Sequence, residues 1–508
     1  MTTEPYGLLI GDLMNASGVP FGTSGLRGRV QDMTDALCYA YTCGFLQHLR
    51  RGEELTEGGT VGIAGDLRRS SPRIMEACAQ AVRDLGLRPV CCGFIPTPAL
   101  AAWGLSHDAP TLMVTGSHIP DDRNGIKFNT SRGEILKEDE VGIRAQRVEL
   151  PVGRFDGNGG FLVGSRRALP EVDGEADSAY RRRYLEFFPA GCLAGLRVGL
   201  YEHSSVAREA FHDVLTGFGA LVTRLGRTNR FMPVDTEAIR LEDTQLVRQW
   251  AATGDYDCLV SADGDGDRPL IADERGDWLR GDIAGILTAR YLGAQAVVTP
   301  VSSNTALERS AWFPRVLRTR IGSPFVIAGM ARIQAEGVAP VVGYEANGGF
   351  LLGSPLGWEG RTLAALPTRD ALIVALGVLL LARRRGCPLS HLARDLPQRF
   401  TASDRLREFP SEVSQAHIAA LIADRAAVER EFAPHFGPLT TLDTTDGLRM
   451  TFSNGEIVHL RPSGNAPELR AYTEADSAAR AAELNQRCLS LLKNWRSTPF
   501  AQNSQAAR

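Results

Sequence analysis

Lysine is nearly absent from this chain: only Lys127, Lys137 and Lys493 stand beside a large excess of arginine. Lysine can be brought to titrate and arginine effectively cannot, which makes Lys127, inside a motif described below, a residue of interest. Excess charge of either sign is also lacking. The formal net charge is −3 over 508 residues, so there is no general attraction to nucleic acid or to an anionic membrane, and any affinity for phosphate must be local. Long apolar runs are missing as well. The longest, Ala371 to Ala382, is too short to span a bilayer and predicts a buried helix. The nine cysteines show no metal-ligand spacing, and Cys91-Cys92 fits a strand core better than a redox centre. Nothing ahead of the first glycine-rich motif resembles a secretion signal. The expectation is a cytoplasmic protein with reduced thiols, a monomer or small homo-oligomer, with small-molecule rather than nucleic-acid or membrane partners.

Composition is that of an ordinary globular chain, 44% hydrophobic and 23% charged, and the length calls for three or four domains. Apolar, β-branched runs alternate with helical stretches, which predicts an α/β protein with largely buried sheets. Strand-like runs at 61–64, 111–115, 196–201, 258–261, 296–299 and 340–343 group into three pairs. The second run of each pair ends in a distinctive loop, as in one α/β unit used three times with its chemistry at strand carboxyl ends. This predicts three similar mixed α/β domains, residues 1–160, 161–281 and 282–398. A smaller α+β domain follows over 399–496, then a polar tail, 497–508.

The most informative loop is Asp263-Gly264-Asp265-Gly266-Asp267-Arg268. Carboxylates packed so closely repel unless a cation neutralises them, and hard oxygen ligands suit Mg²⁺ or Ca²⁺. By the same reasoning, neutralising one of them should stabilise the metal-free protein. Glu274 falls twelfth from Asp263, as in an EF-hand, but Arg268 stands where that loop needs glycine, and the flanks read as strands rather than helices.

Three further loops carry polar chemistry. Thr115-Gly116-Ser117-His118 presents a serine at a strand end, exposed enough to act as a nucleophile, without the surroundings of a hydrolase elbow. Arg461-Pro462-Ser463-Gly464-Asn465 follows the strand-like 456–460 and combines guanidinium, hydroxyl, amide and glycine N–H donors suited to a phosphate. Tyr344-Glu345-Ala346-Asn347-Gly348-Gly349 pairs a carboxylate with an amide, the usual grip on sugar hydroxyls. Phe21 to Gly28 looks like a phosphate cradle but lacks the P-loop lysine and the dinucleotide spacing.

Together these loops resemble, in order and over nearly the whole chain, the α-D-phosphohexomutases of the phosphomannomutase/phosphoglucomutase branch. Two departures stand out. Ile119 replaces the usual Asn after the histidine, and 346–349 replaces a Ser-Gly-His pattern. TGSH rather than TASH leans toward mannose or glucose phosphates and away from glucosamine phosphate.

The resemblance implies four domains around a central cleft, with Mg²⁺ held by Ser117 as phosphoserine, Asp263, Asp265 and Asp267. It implies interconversion of mannose 1-phosphate and mannose 6-phosphate through a hexose 1,6-bisphosphate, which also primes the enzyme; a glucose-specific or dual mutase is the alternative. Lys127, Arg27, His118 and Arg268 are the expected catalytic groups, with Lys127 favoured for proton transfer. Glu345, Asn347, Gly322 and Ser323 are expected to contact substrate, and Arg461, Ser463, Gly464 and Asn465 to hold the phosphate that is not reacting. A metal-dependent phosphohydrolase would need neither the sugar loop nor the clamp. A non-catalytic binding module would leave the serine loop unexplained.

Overall fold

The computed structural model describes residues 7–22, 25–463 and 467–496. It divides into two compact units, Met1–Val297 with Gly322–Ala393, and Val298–Ile321 with Arg394–Arg508. Each of the strand-like runs in the sequence is a strand. Val61, Ile63, Val198, Leu200, Val260 and Val342 are fully buried, as β-branched and apolar runs on covered sheets must be.

In the first sheet of the larger unit the strand order is Gly25–Arg29, Arg123–Thr130, Thr111–Val114, Thr60–Gly65, Arg88–Gly93. The last three are parallel, whereas 123–130 runs antiparallel to both of its neighbours. Cys91 and Cys92 are buried in the strand Arg88–Gly93, as their neighbours suggested. The second sheet runs Leu221–Leu225, Arg197–Tyr201, Cys258–Ala262, Pro269–Ala272, again parallel until its final antiparallel strand. Further on, Val341–Tyr344 pairs antiparallel with Phe350–Leu352. The three distinctive loops are therefore the turns of three equivalent hairpins, each leaving a core strand and returning beside it. This bears out the mixed α/β fold class. The strands flanking Asp263–Arg268 exclude the EF-hand, and Glu274 instead accepts a hydrogen bond from Ser390 Oγ at 2.5 Å.

The apolar run forms the helix Ala371–Arg385, with every residue from Ala371 to Ala382 buried. A helix apolar all round needs neighbours on all sides. One of them, Gly281–Tyr291, approaches so closely that a Cβ on Gly377 would lie 2.8 Å from Thr288. Asp370 caps this helix by accepting from the N–H groups of Leu372 and Ile373, and also accepts from the hydroxyls of Tyr180, at 2.7 Å, and Tyr184. Among the described residues no helix is long and apolar enough to cross a membrane.

The smaller unit holds an antiparallel five-stranded sheet, in the order Phe400–Arg407, Glu468–Ala475, Ile457–Pro462, Leu448–Phe452, Leu439–Asp443. The helices Ser411–Ala423, Arg425–Phe436 and Ala478–Lys493 complete it around Phe409, Phe432, Phe452 and Leu460. This is the α+β arrangement expected of the C-terminal segment.

Candidate active site

The serine loop is held from beneath. Thr115 Oγ1 and the Gly116 N–H donate to Asp66 Oδ2 at 2.8 and 3.3 Å, and the Ser117 N–H donates to Thr115 Oγ1 at 2.7 Å. Ser117 has φ 54°, a left-handed conformation that costs a non-glycine residue roughly 1–2 kcal/mol. The strain has a visible result: Ser117 Oγ donates to Asp263 Oδ2 at 2.6 Å.

The aspartate loop closes on itself. Asp263 Oδ1 accepts from the N–H groups of Asp267 and Arg268, both at 3.1 Å, and the Asp263 N–H donates to the Arg268 carbonyl. Gly266, at φ 71°, makes the turn, and a Cβ there would lie 2.7 Å from Ala207. Thr97 Oγ1 donates to Asp265 Oδ2 at 2.8 Å. All three aspartates are fully buried, and one oxygen from each lies within 4.8 Å of the others. Asp265 Oδ1 and Asp267 Oδ1 are buried with no hydrogen-bond donor. Buried carboxylate oxygens without partners are costly, and two of them beside the Asp263 carboxylate suit a hard divalent cation. Burial and then its two neighbours push the Asp263 carboxyl well above the usual carboxylate range.

Four cations surround these acids. Gly25 lies opposite Lys127 and Arg27 opposite Gly125 on paired strands, so the alternation of side chains brings Arg27 and Lys127 out on one face. Lys127 Nζ reaches Asp265 Oδ2 at 2.6 Å and Asp267 Oδ2 at 2.5 Å. Burial lowers the Lys127 pKa, but the two aspartates outweigh it and raise it overall. Lys127 is thereby held protonated. Burial, with Arg268 and Arg369 nearby, brings Arg27 down to about 10. Arg268 Nη1 donates to His118 Nδ1 at 2.9 Å, and His118 Nδ1 is 3.3 Å from Ser117 Oγ. Burial and then Arg268 hold His118 well below its ordinary pKa, hence neutral.

The fourth cation is Arg369. Its Nε donates to Asp267 Oδ2 at 3.0 Å and its Nη1 to Glu345 Oε2 at 3.3 Å. It bridges the aspartate loop and the Glu345 loop, the latter closed by Asn347 Oδ1 accepting from the Gly349 N–H at 2.9 Å. Formally, Asp263, Asp265, Asp267 and Glu345 are matched one for one by Arg27, Lys127, Arg268 and Arg369.

Gly322 and Ser323 are both buried. Ser323 is fully buried and donates its hydroxyl to Glu134 Oε2 at 2.7 Å, while Thr368 Oγ1 donates to Glu134 Oε1 at 2.9 Å. Gly322, φ 131°, precedes the helix Ser323–Ala335 as its N-cap. Gly464, Asn465, Thr23 and Ser24 lie outside the described residues, as does the tail beyond 496. Ser463 is buried and its N–H donates to the Glu468 carbonyl at 2.8 Å. Arg461 is steered by Asp446, whose Oδ2 accepts from Arg461 Nε at 2.8 Å and from the Ile321 N–H at 2.9 Å.

Asp66, Arg68, Arg369 and Asp446 escape the sequence reading. Asp66 and Arg68 had a signal: they end the strand Thr60–Gly65, where functional loops belong, but no function was assigned to that end. Arg369 and Asp446 carry no local pattern, since their partners lie far along the chain.

His203 and His459 stand in matching roles. Each donates from Nε2 to a backbone carbonyl, of Ala262 at 2.7 Å and of Asp446 at 2.6 Å. Burial brings both down to about 4. Unfolded, each titrates near 6.5, so between about pH 6.5 and 4 the unfolded chain binds more protons and stability falls with pH, by about 3 kcal/mol per histidine once the window is crossed. Urea unfolding from pH 7 to 4.5 should show this decline, and His203→Gln, which keeps a donor, should flatten it. An unchanged slope in that variant counts against the assignment.

Mixed α/β sheets whose hairpin loops gather a buried serine, an aspartate triad and matching cations define a protein built to handle phosphoryl groups. Comparison with known proteins gives the lineage. Family models described as phosphoglucomutase/phosphomannomutase match at residues 18–148 for alpha/beta/alpha domain I, 280–400 for alpha/beta/alpha domain III and 411–490 for the C-terminal domain. A phosphomannomutase of Salmonella muenchen is 42% identical across 95% of this chain and 97% of its own. One of Sinorhizobium fredii is 42% identical across 94% and 99%. The solved structure of a phosphoglucomutase/phosphomannomutase family protein from Burkholderia thailandensis shares the fold, with TM-score 0.71 at 20% identity over 93% of this chain and 97% of that one. The chain belongs to the phosphoglucomutase/phosphomannomutase family, and it is a mutase.

Proposed function

We propose that this mutase interconverts mannose 1-phosphate and mannose 6-phosphate through a phosphoserine at Ser117 and a mannose 1,6-bisphosphate. The observation that carries the reading is the strained Ser117, its hydroxyl 2.6 Å from a carboxylate of the aspartate triad. The mannose assignment draws on the two phosphomannomutase relatives. The phosphoryl group leaves Ser117 Oγ for the 6-hydroxyl of the sugar, whose proton is lost as Ser117 Oγ regains one. After the sugar turns around, the phosphoryl on O1 returns to Ser117 Oγ, which gives up its proton as O1 gains one, and mannose 6-phosphate departs. Lys127, held protonated, would supply the proton to Ser117 Oγ. Arg268 and Arg27 face the developing charge, and burial together with Arg268 keeps His118 neutral against the serine. Glu345 and Asn347 take sugar hydroxyls. Arg461, with Ser463, Gly464 and Asn465, takes the phosphate that is not reacting. Asp263, Asp265, Asp267 and phosphorylated Ser117 would hold Mg²⁺, which would neutralise charge on the transferring group. The domains that carry these loops are 1–160, 161–281, 282–398 and 399–496.

Intact-mass analysis tests this directly: an added phosphate at Ser117 is expected, lost on incubation with the unphosphorylated hexose, which leaves as a hexose phosphate. Protein stripped of that phosphate should regain activity with a trace of mannose or glucose 1,6-bisphosphate. No recovery with either compound sinks the phosphoserine mechanism, and steady release of inorganic phosphate favours a hydrolase. Parallel assays with glucose 1-phosphate decide the sugar.

Arg461→Ala should raise the KM for both hexose 1-phosphate and hexose 6-phosphate by about tenfold or more, since charge-assisted hydrogen bonds contribute roughly 1.5–3 kcal/mol. Asp446→Asn should produce a smaller rise in both. A change confined to one substrate contradicts a single clamp serving both orientations.

A further inference from the structure

We infer that Arg68 is the positioning residue for the nucleophile, holding Ser117 in its left-handed conformation by gripping the peptide carbonyls on either side of His118. The inference rests on Ser117 being the phosphoryl carrier. Arg68 is only 1% exposed. Its Nη2 donates to the Ser117 carbonyl at 2.8 Å and to the Ile119 carbonyl at 2.7 Å, and its Nη1 donates to the Pro120 carbonyl at 3.0 Å. Its Nε donates to Asp66 Oδ2 at 3.0 Å, the oxygen that also receives Thr115 Oγ1. One ion pair thus ties down both the entry to the serine loop and its exit.

The loop is shaped for this guanidinium. A Cβ on Gly116 would lie 2.7 Å from Arg68 Cζ and Nη2, so glycine there admits the flat group against the backbone. On the other side Phe231 covers the guanidinium, with 3.8 Å between Cζ and the ring centroid. A Cβ on Gly264 would lie 3.0 Å from both that ring and the Ser117 carbonyl, so the aspartate loop packs against the same platform. A rigid fork with several donors can bind three carbonyls in fixed geometry, which an ammonium cannot reproduce. With its carbonyl fixed, Ser117 keeps a positive φ and aims Oγ at Asp263. A nucleophile displaced by an ångström loses on the order of a hundredfold in rate.

The test uses the full-length chain carrying Arg68→Lys, with Phe231→Leu as the milder change that leaves every hydrogen bond of Arg68 in place. In Arg68→Lys the KM for mannose 1-phosphate should stay within about threefold of wild type. Its kcat should fall by about a hundredfold, as should the single-turnover rate of phosphorylation of Ser117 by glucose 1,6-bisphosphate. Amide exchange at residues 116–119 should accelerate. Phe231→Leu should show the same split, several-fold in kcat. A folded Arg68→Lys that phosphorylates Ser117 at the wild-type rate overturns the inference. If Arg68→Lys does not fold, Phe231→Leu decides, and unchanged kcat with unchanged exchange overturns it. If the wild type itself takes no phosphate from the bisphosphate, the carrier reading has failed, and exchange at 116–119 still decides whether Arg68 holds the loop.

Discussion

Ser117→Ala is expected to remove mutase turnover while leaving a folded protein that still binds mannose 1-phosphate. Ser117 is 1% exposed, its hydroxyl contributes little packing, and the residues that shape its loop, Asp66, Thr115 and Arg68, bond to backbone or to one another. Asp263 loses one donor at Oδ2 but keeps two backbone N–H groups at Oδ1, so the melting temperature should move by only a few degrees. Loss of the covalent carrier has no substitute in the site. Removal of a nucleophile of this kind costs about 10⁴–10⁶ in kcat. Calorimetry should show mannose 1-phosphate binding within about threefold of unphosphorylated wild type, because Glu345 and the Arg461 loop are untouched. Turnover within tenfold of wild type would exclude Ser117 as the carrier.

Asp265→Asn should be nearly as damaging. Asp265 Oδ1 is one of the two partnerless buried carboxylate oxygens of the triad, and Asn offers neither the charge nor a second oxygen to a cation. A loss of at least about a thousandfold is expected, and chelation of the wild type should match it, reversed by added Mg²⁺. Mg²⁺ should raise the melting temperature of the wild type and not of the variant. In the metal-free state the structure corrects the expectation drawn from the triad alone. Three clustered carboxylates suggested that neutralising one would stabilise the protein. Asp265 is instead paired with Lys127 and Thr97, and burial, opposed and outweighed by Lys127, leaves its carboxyl below the usual range. Removing its charge leaves a buried ammonium with one partner fewer, so Asp265→Asn should melt lower without metal. A higher melting temperature, or full activity in excess chelator, would count against this account.

What the sequence determined by itself is local chemistry in chain order. A strand that ends in a Gly-Ser or Asp-Gly repeat announces its turn and its donors within a few residues. The apolar run at Ala371–Ala382 likewise announces a helix covered on every side. Period and turn chemistry are short-range, so Ser117, the three aspartates and Glu345 could be named as site residues before any packing was known. Tertiary structure decided which charges meet. Arg68 finds its carbonyl partners some fifty residues away, at Ser117 and Ile119. Arg369 spans Asp267 and Glu345, and Ser323 pairs with Glu134. In sequence each of these is a polar residue that could equally face water. Only folding buries them, and a buried polar group must find its partner wherever the chain has brought one.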